Sequence, residues 1–356
     1  MADVAVLGGG NGGQALAGSL ASRGHSVRLY CRQPERLGRV VVDRTIEGVG
    51  VENWRARLAG VTDDLEVALA TAEIVFLATT ADAHGTLARQ LAPLLRDGQI
   101  LVLNPGRTGG ALEVVHVLGK YGSARVLVAE AQSLLYACRA ELPGRVRLIG
   151  RKARVPLATL PAADLDGVMA RLRPLFDCFV PASSVLETSF ANMGAVLHPV
   201  VAILNTGTIE RGEKVHFYRD VSDRVAEMVM RVDAERLAVA QAYGLGLDTV
   251  QAWMLKAYPQ TRAHSLAEQM RTSPAYAEIL APGRIESRLL TEDVPTGLVP
   301  FESFGRVAGV PVPIMSSLIE LASGLLGRDL RAQGRTLEQM GLRDMSVRDI
   351  VDMVRR

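Results

Sequence analysis

Aromatic residues and cysteines are scarce in this chain of 356 residues. Phe, Trp and Tyr make up 4% of it, which argues against a base-stacking surface for single-stranded nucleic acid. Cys31, Cys138 and Cys178 are scattered and form neither a C-x-x-C pair nor a disulfide framework. No apolar run approaches the roughly 18 residues of a membrane span. These absences, and an N-terminus that enters a predicted strand at once, lead us to expect a cytoplasmic protein with no signal peptide.

Acidic and basic residues nearly balance, with 40 Lys and Arg against 38 Asp and Glu. This balance favours neither a nucleic acid nor a membrane surface as a partner. Hydrophobic residues make up 48% of the chain and the mean hydropathy is +0.17, as expected for a globular protein with a large buried core. The chain is too long for one typical core, and its composition shifts near Pro181. We therefore predict two domains, residues 1–182 and residues 183–356.

The most informative stretch is the beginning of the chain, where an apolar strand at residues 2–7 runs into a glycine-rich turn. Gly8, Gly10 and Gly13 match the pattern G-x-G-x-x-G, and a helix follows at residues 14–23. The first glycine permits a tight turn, the second lets a pyrophosphate approach the backbone, and the third lets the helix pack on the strand. Free N–H groups at the helix start attract phosphate. The pattern predicts a dinucleotide site rather than a turn that only closes a β–α unit. Its predicted binding residues are Gly8, Gly10, Asn11, Gly12 and Gly13.

The end of the second predicted strand, residues 26–31, bears on which dinucleotide is bound. NAD sites usually carry Asp or Glu there, whereas this chain has Tyr30, Cys31 and Arg32, with Arg36 one helical turn further on. A guanidinium is a planar, permanently charged fork that suits a 2′-phosphate. The alternative is that Arg32 only caps a loop in solvent. We favour NADP(H) over NAD(H), with Tyr30, Arg32 and Arg36 in contact with the cofactor.

Strands and helices alternate through the first half, which predicts a Rossmann domain, a doubly wound parallel sheet with helices on both faces. Two buried strands, residues 74–78 and 100–103, end in polar or glycine-rich segments. Ligands bind at this edge of an open parallel sheet, so we expect Ala78, Thr79 and Asn104 to contact the cofactor.

Two further features of the first half receive structural interpretations. We interpret His84 as the first residue of a helix rather than as a catalyst. Residues 145–149 and 154–160 have the pattern of an antiparallel pair of strands at the edge of the sheet, joined through residues 150–153. Neither feature adds a site residue.

From residue 183 onward, apolar residues recur at spacings of three and four, which predicts an all-α second domain. The first helix would carry one apolar stripe from Leu186 to Leu204. Further helices are predicted at residues 220–243, 249–257, 265–270, 312–326 and 346–354. His198 lies in the first helix and precedes Pro199, which removes a donor and should kink the helix. A lone histidine on an apolar helix is ordinarily a core residue, so this pattern assigns it no role.

A polar segment at residues 288–300 carries two acids and a lone arginine. Pro295 and Pro300 predict a loop rather than a helix. In one interpretation this loop is a solvated connection between helices. In the other, Asp293 pairs with His198, fixes its tautomer and raises its basicity, while Arg288 binds a substrate carboxylate bidentately.

Seven short blocks occur in an order that carries a resemblance to a known family. They are Leu-Gly-Gly-Gly-Asn-Gly-Gly at 7–13, Leu-Asn-Pro-Gly at 103–106, Thr-Gly-Gly-Ala-Leu-Glu at 108–113, Ala-Cys-Arg-Ala-Glu-Leu-Pro-Gly at 137–144, Asn-x-x-Ala-Val-Leu-His-Pro at 192–199, Val-Asp-Ala-Glu-Arg at 232–236 and Glu-Asp-Val-x-Thr-Gly-Leu-Val-Pro at 292–300. Through them the chain resembles the opine dehydrogenases, above all the bacterial N-(carboxyethyl)norvaline dehydrogenase type, from residue 4 to about residue 343.

The resemblance implies a fold, a reaction and residue roles. The family has a Rossmann N-terminal domain and an all-helical C-terminal domain for substrate and dimerisation. It joins an amino acid or amine to an α-keto acid by reductive condensation, giving a secondary-amine dicarboxylate, and catalyses the reverse oxidation without a metal. By resemblance, His198 is the catalytic acid/base, Asp293 orients it and Arg288 engages a substrate carboxylate. The further positions implied near the substrate are Asn192, Cys138 and Thr108. Relatives that use NAD carry Asp where this chain has Cys31, which supports NADP(H).

Two other functions stay open. Ketopantoate reductase and glycerol-3-phosphate dehydrogenase share the architecture but rely on a catalytic lysine, and none of this chain's four lysines lies in a matching block. A protein of another class, a non-catalytic NADP(H) sensor, would use the helical domain as a dimerisation surface. The apolar helix at residues 312–326 and the apolar residues within 226–230 favour a homodimer in either case.

Overall fold

The computed structural model of the chain describes residues 1–258, 261 and 263–356, and it contains two compact units. The first unit consists of Met1–Gly106, Gly110–Thr188 and Val354–Arg356, and the second of Arg107–Gly109 and Ser189–Met353. The main change of unit thus follows Thr188, whereas the sequence analysis places the domain boundary after residue 182.

The first unit is built on two β-sheets. An eight-stranded sheet has the order β12-β11-β8-β7-β6-β1-β2-β5, and a four-stranded sheet has the order β4-β3-β10-β9. All neighbours in the large sheet are parallel except β11 and β8. The strands are β1 (Asp3–Leu7), β2 (Ser26–Tyr30), β3 (Thr45–Gly50), β4 (Trp54–Arg57), β5 (Gly60–Thr62), β6 (Ile74–Leu77), β7 (Ile100–Leu103), β8 (Leu127–Ala131), β9 (Tyr136–Leu142), β10 (Arg145–Arg151), β11 (Val155–Leu160) and β12 (Phe179–Pro181).

The central strands β1, β6 and β7 are almost wholly buried and apolar, as expected for a parallel sheet that is covered on both faces. The helices of this part of the chain are α1 (Asn11–Ser22), α2 (Val40–Asp43), α3 (Leu65–Leu69), α4 (His84–Leu91), α5 (Gly110–Tyr121) and α6 (Leu165–Leu172). Short 3₁₀ helices lie at Pro34–Leu37, Ala81–Ala83 and Ala162–Asp164. The predicted Rossmann sheet is confirmed, and α4 begins at His84 as expected.

The prediction that residues 145–149 and 154–160 form an antiparallel pair is wrong. β10 pairs antiparallel with β9 in the small sheet, whereas β11 lies between β8 and β12 in the large one. The burial patterns give the reason. In β10 the buried Val146 and Leu148 alternate with the exposed Arg145, Arg147 and Ile149, as in a strand with one face in solvent, whereas β11 is nearly all buried.

The second unit is helical. Its helices, of which α7 and α17 each span a change of unit, are α7 (Val185–Phe190), α8 (Met193–Leu204), α9 (Thr206–Glu210), α10 (Asp223–Ala242), α11 (Val250–Ala257), α12 (Leu266–Thr272), α13 (Arg288–Thr291), α14 (Val299–Ala308), α15 (Pro313–Leu326), α16 (Leu330–Gln333) and α17 (Val347–Arg355). A 3₁₀ helix spans Pro274–Tyr276 and a π-helical turn spans Val294–Leu298. Within the described residues of this unit, the β-structure consists of one isolated bridge between His216 and Leu280. No helix among the described residues is long and apolar enough to cross a membrane.

Two helix predictions are corrected. The expected single helix from Leu186 to Leu204 is interrupted at Asn192, whose ψ of 88° is not helical, so α7 and α8 are separate. The segment at residues 288–300 is helical and largely buried rather than a solvated loop. Pro295 and Pro300 lie at the first positions of the π-helical turn and of α14. The N–H groups at the first positions of a helix have no acceptor within the helix, so a proline there loses no hydrogen bond. It is therefore compatible with the start of a helix.

Candidate active site

The glycine-rich turn between β1 and α1 has the geometry of a phosphate cradle. Gly8 has a φ of +133°, and a Cβ there would lie 2.5 Å from the carbonyl oxygen of Ala78. A Cβ on Gly13 would overlap the carbonyl oxygen of Gly8, so only glycine lets α1 pack this closely on the turn. Among the described residues, no atom lies within 4 Å of the position that a Cβ on Gly10 would take, and no side chain caps α1. The turn therefore leaves open space in front of free N–H groups.

The other predicted cofactor residues lie at the same edge of the sheet. Gly8 N–H donates to Tyr30 O at 2.9 Å, and Ala78 N–H donates to Leu7 O at 2.9 Å. Thr79 follows Ala78, and no described residue hydrogen-bonds its buried hydroxyl. Asn104 follows β7, is buried, and its Nδ2 donates to the Ser133 carbonyl at 3.4 Å.

Two predicted residues of the turn also make contacts within the protein. Asn11 Oδ1 accepts the backbone N–H of Ala140 at 3.0 Å, and a Cβ on Gly12 would lie 3.1 Å from the Leu134 side chain. These contacts tie the start of α1 to β9 and to the segment before it. Since Gly10 opens to solvent and the Thr79 hydroxyl lacks a partner, the residues present fit a bound dinucleotide.

The end of β2 carries exposed positive charge. A Cβ on Gly9 would overlap the Cys31 sulfur, so the Cys31 side chain fills the space behind the glycine turn. Arg32 follows it and is exposed, as is Arg36 in the next 3₁₀ helix. Glu35 is exposed in the same helix. The inward cysteine leaves Arg32 as the first charged side chain after β2.

In the helical unit, both ring nitrogens of His198 are engaged. Nδ1 lies 2.7 Å from Asp293 Oδ2, and Nε2 lies 2.8 Å from the hydroxyl of Tyr218. His198 belongs to α8, with Pro199 inside the same helix, and its side chain is 14% exposed. Asp293 precedes the π-helical turn and is 1% exposed. The predicted histidine–aspartate pair is therefore present as a buried hydrogen-bonded contact.

Arg107 supplies the positive charge beside this pair. Its Nη1 lies 3.6 Å from Asp293 Oδ1 and donates to Asn192 Oδ1 at 3.3 Å, and its Nε donates to Glu292 Oε1 at 3.5 Å. Burial alone would raise the pKa of Asp293, but Arg107 and His198 hold that pKa below its usual value. Burial would likewise lower the pKa of Arg107, and the carboxylates of Asp293 and Glu292 raise it above the usual range. The cluster therefore keeps Asp293 ionised.

Thr108 and Asn192 connect this cluster to the rest of the helical unit. Asn192 Nδ2 donates to Thr108 Oγ1 at 3.1 Å, and both residues are buried. Backbone contacts hold Thr108, because its N–H donates to Thr296 O at 3.2 Å and its carbonyl accepts from Arg335 Nη1 at 2.7 Å. These bonds explain how Arg107 can hold a φ of +62°, a left-handed conformation uncommon for such a residue.

Arg288 and Cys138 are the remaining predicted substrate residues. Arg288 begins α13, its side chain is 58% exposed, and Nη1 lies 3.8 Å from Glu292 Oε2. Cys138 lies in β9 of the first unit, opposite Leu148 of β10, and is half-buried. The structure brings His198, Asp293, Asn192 and Thr108 into one cluster of the helical unit, and Arg288 adjoins that cluster through Glu292.

Sequence reasoning missed Arg107 and Tyr218. Arg107 directly follows the block Leu-Asn-Pro-Gly, so a charged residue beside a glycine-rich loop was a usable signal. Tyr218 stands outside every block, twenty residues after His198, and no local pattern connects it to the histidine. Glu292 lay inside a quoted block but received no role.

The first unit has a glycine turn at the carboxyl edge of a parallel sheet, and the second has a buried imidazole held by a carboxylate. Together they define a class, the dehydrogenases with a Rossmann unit for a nicotinamide dinucleotide and a second, helical unit. Comparisons with known proteins specify the family.

Residues 181–326 match the family model described as NAD/NADP octopine/nopaline dehydrogenase, alpha-helical domain. Residues 3–105 match the model for the N-terminus of NAD-dependent glycerol-3-phosphate dehydrogenase. The opine dehydrogenase of Arthrobacter sp. (strain 1C) is 35% identical over 350 residues, which cover 97% of each chain. The vitopine synthase of Allorhizobium ampelinum is 32% identical over 99% of each chain. A solved structure of octopine dehydrogenase with NADH and agmatine is 24% identical, with a TM-score of 0.82 over 99% of this chain and 98% of that one.

The chain belongs to the opine dehydrogenase family. It is an NAD(P)-dependent oxidoreductase that acts on CH–NH donors and reductively joins an amino acid to an α-keto acid. This reading is favoured over a ketopantoate or glycerol-3-phosphate type of reductase and over a non-catalytic sensor.

Proposed function

We propose that His198 is the acid/base of an NADPH-dependent reductive condensation, with Asp293 as its orienting carboxylate and Arg288 as the anchor for a substrate carboxylate. The observation that carries this proposal is the 2.7 Å contact between His198 Nδ1 and Asp293 Oδ2 at a carboxylate that is 1% exposed. An ionised Asp293 accepts a hydrogen bond from the N–H at Nδ1, so the lone pair of the neutral ring lies on Nε2. That tautomer is the one a general base needs.

The acid–base steps belong to the helical unit. His198 takes a proton from the incoming ammonium group, which frees the amine lone pair for attack on the keto carbon. The imidazolium is stabilised by Asp293 and returns the proton as water leaves, which produces the imine. A nicotinamide dinucleotide, when bound, supplies the hydride that reduces the imine carbon. An imidazole suits both proton transfers because one ring nitrogen can accept a proton and later return it.

Arg288 is a better anchor for a substrate carboxylate than Arg107. The Arg107 guanidinium is buried and already contacts Asp293, Glu292 and Asn192. The Arg288 side chain is 58% exposed, and its 3.8 Å contact with Glu292 is long for an ion pair. A substrate carboxylate could accept two parallel hydrogen bonds from such a guanidinium.

Three further residues have supporting roles in this proposal. Thr108 and Asn192 hold Arg107 beside Asp293 through their mutual hydrogen bond. A role for Cys138 in substrate contact stays a prediction. The octopine dehydrogenase structure contains agmatine, an amine with a guanidinium group, so we include amines beside amino acids among the substrates of this chain.

The cofactor preference rests on the end of β2. Cys31 points behind the glycine turn where an NAD site places a carboxylate, and Arg32 is exposed next to it. An Arg32→Ala variant should lose roughly 10- to 150-fold in kcat/KM for NADPH, the value of a hydrogen bond to a charged group, and keep its kcat/KM for NADH. Arg39→Ala, a change at an exposed arginine further along the same segment, is the matched control. Equal loss for both cofactors would contradict the preference.

The role of His198 is tested by His198→Ala. The variant should bind NADPH with unchanged affinity and lose at least about a hundredfold in turnover, the contribution of general acid–base catalysis. His116→Ala, at an exposed histidine of α5, should leave turnover unchanged. Turnover should be measured on a matrix of amino acids and amines against pyruvate, glyoxylate and larger keto acids, with both cofactors. Retained turnover in His198→Ala would end the assignment.

A homodimer also stays a prediction. Leu321 and Leu325 on α15 and Met230 on α10 are exposed apolar side chains in the regions that the sequence analysis connects with dimerisation. Sedimentation equilibrium measures the oligomeric state, and a monomer at micromolar concentration would contradict the prediction. A cytoplasmic location likewise stays a prediction.

A further inference from the structure

The second ring nitrogen of His198 is occupied by a protein hydroxyl. Tyr218 Oη lies 2.8 Å from Nε2, while Asp293 Oδ2 lies 2.7 Å from Nδ1. An ionised Asp293 has no proton and can only accept a hydrogen bond, so Nδ1 of the neutral ring carries the ring proton. Nε2 then carries the lone pair, and the Tyr218 hydroxyl donates to it. The lone pair that a base needs is therefore already directed at the Tyr218 proton.

The Tyr218 ring is held firmly in this position. It stacks on Tyr276, with ring centroids 4.0 Å apart and 19° between the planes, and it meets Phe217 edge to face at 4.8 Å. Phe217 also packs edge to face against His198, at 6.2 Å. The side chain is 7% exposed. Such packing fixes the hydroxyl on the imidazole and leaves little freedom for the ring to swing away.

The hydroxyl remains a neutral O–H in this environment. Burial raises the pKa of Tyr218 well above its usual value, and the neighbouring Tyr258 and Asp293 raise it further. The positive charges of Arg288 and Arg107 act on the Tyr218 pKa in the opposite direction but do not offset the effect of burial.

We propose that Tyr218 is a further catalytic residue, a proton relay between His198 and the reacting amine. The proposal rests on the acid/base role proposed for His198. A relay accounts for a hydroxyl that occupies the basic nitrogen, because a proton can reach Nε2 through it without any movement of either ring.

The relay balances at each step. An N–H bond of the ammonium group breaks as its proton moves to Tyr218 Oη, while the Tyr218 proton moves to His198 Nε2. The freed amine adds to the keto carbon as the C=O π pair moves to the oxygen, and one proton shifts from the added nitrogen to that oxygen, which gives a neutral carbinolamine. The Nε2 proton then returns to Tyr218 Oη as Tyr218 protonates the carbinolamine oxygen. The C–O bond breaks, water leaves with its electron pair, and the amine lone pair forms the C=N bond of the iminium ion.

The test is Tyr218→Phe, which keeps the ring and its stacking and removes only the hydroxyl. We expect kcat to fall about a hundredfold, within the range of general acid–base catalysis. The KM for the amino acid and the Kd for NADPH should change less than about threefold. In mixtures of light and heavy water, kcat of the natural protein should follow a curved dependence, because two protons move in one step. The variant should follow a straight line. A loss of packing alone would not alter that curvature.

Tyr276→Phe is the matched control, because it removes a hydroxyl from the ring stacked on Tyr218 and keeps that stacking. Its kcat and its curvature should stay unchanged. If Tyr218→Phe folds poorly, 3-fluorotyrosine at position 218 keeps the shape and hydroxyl but makes the hydroxyl more acidic, and kcat should then shift with its acidity.

Three results would overturn the relay. An unchanged kcat in Tyr218→Phe would show that Tyr218 only packs against the imidazole. A raised kcat/KM would show that its hydroxyl blocks the base. A kcat insensitive to fluorination would exclude proton transfer through the hydroxyl. In each case His198→Ala stays inactive. By contrast, an active His198→Ala variant, or no reductive condensation by the natural protein, would refute the proposed function itself.

Discussion

Replacing Arg107 by Met should lower both the unfolding free energy of the helical unit and kcat, and a matched control should separate the two effects. The change removes the guanidinium that lies 3.6 Å from Asp293 and 3.5 Å from Glu292, two carboxylates with side chains 1% and 4% exposed. Removing one partner of a buried ion pair typically costs about 3–5 kcal/mol of unfolding free energy, because the remaining charge is left without compensation. We expect the helical unit to lose that amount.

The same change should weaken the reaction. Arg107 helps to keep the pKa of Asp293 low, so without it burial raises that pKa and Asp293 stabilises the His198 imidazolium less well. A hydrogen bond to a charged group is worth about 1.5–3 kcal/mol, so kcat should fall roughly 10- to 150-fold. The affinity for NADPH should not change, because the glycine turn is in the other unit.

The assay uses the position of the two tryptophans. Trp54 lies in the first unit and Trp253 in the second, so Trp253 fluorescence in a Trp54→Phe background follows urea unfolding of the helical unit. Arg236→Met is the matched control, because Arg236 is fully buried and its Nη2 lies 2.7 Å from Asp233 Oδ1 within the same unit. It should cost similar stability and leave kcat within about twofold. If Arg107→Met does not fold, Arg107→Lys keeps a positive charge and should lose less of both quantities.

Two outcomes would refute this reasoning. A normal kcat in Arg107→Met would mean that the guanidinium does not support the His198–Asp293 pair. An equal loss of kcat in Arg236→Met would mean that turnover follows the stability of the helical unit and not the charge beside Asp293.

Two other predictions follow from the same contacts. The pKa of Asp293 is lower in the folded protein than its usual value of about 3.9, so its stabilising contribution is complete above that pH and is lost as the pH falls through the folded value. Urea unfolding of the helical unit should therefore become easier below about pH 4, and Asp293→Asn should flatten this dependence; an unchanged slope would contradict the assignment. Gly10→Ala should fold normally, because its Cβ would face open space, and should bind either dinucleotide more weakly. Gly13→Ala should lower the melting temperature, because its Cβ would overlap the carbonyl oxygen of Gly8. Circular dichroism and cofactor titration measure both, and normal cofactor affinity in Gly10→Ala would argue against the predicted phosphate position.

The Rossmann half could be predicted where the requirement is local. A Cβ on Gly8 or Gly13 would meet a carbonyl oxygen just after the neighbouring strand β6 or within the turn itself, and Gly10 faces open space, so the spacing of the three glycines carries the geometry. Two helices of the second unit begin directly after a capping residue that lies at the predicted start. Ser265 caps α12 and Thr249 caps α11 through their side-chain oxygens.

The errors occurred where distant pairing overrides a local pattern. Two neighbouring strands, β10 and β11, belong to different sheets, and no signal within residues 145–160 reveals which partners each strand finds. Pro295 and Pro300 suggested a loop because a proline inside a helix breaks it, whereas a proline at its start does not.

The candidate site shows the same division. The sequence by itself determined the glycine turn, the helical second half and, through family blocks, the pairing of His198 with Asp293. Only the tertiary structure decided that Arg107 lies beside Asp293 and that Tyr218 occupies Nε2 of His198. A turn or a helix cap is specified by neighbours along the chain, whereas a buried charge or a hydroxyl acquires its partner only when separate helices pack together. For that reason the residues that tune the imidazole have no signature of their own in the sequence.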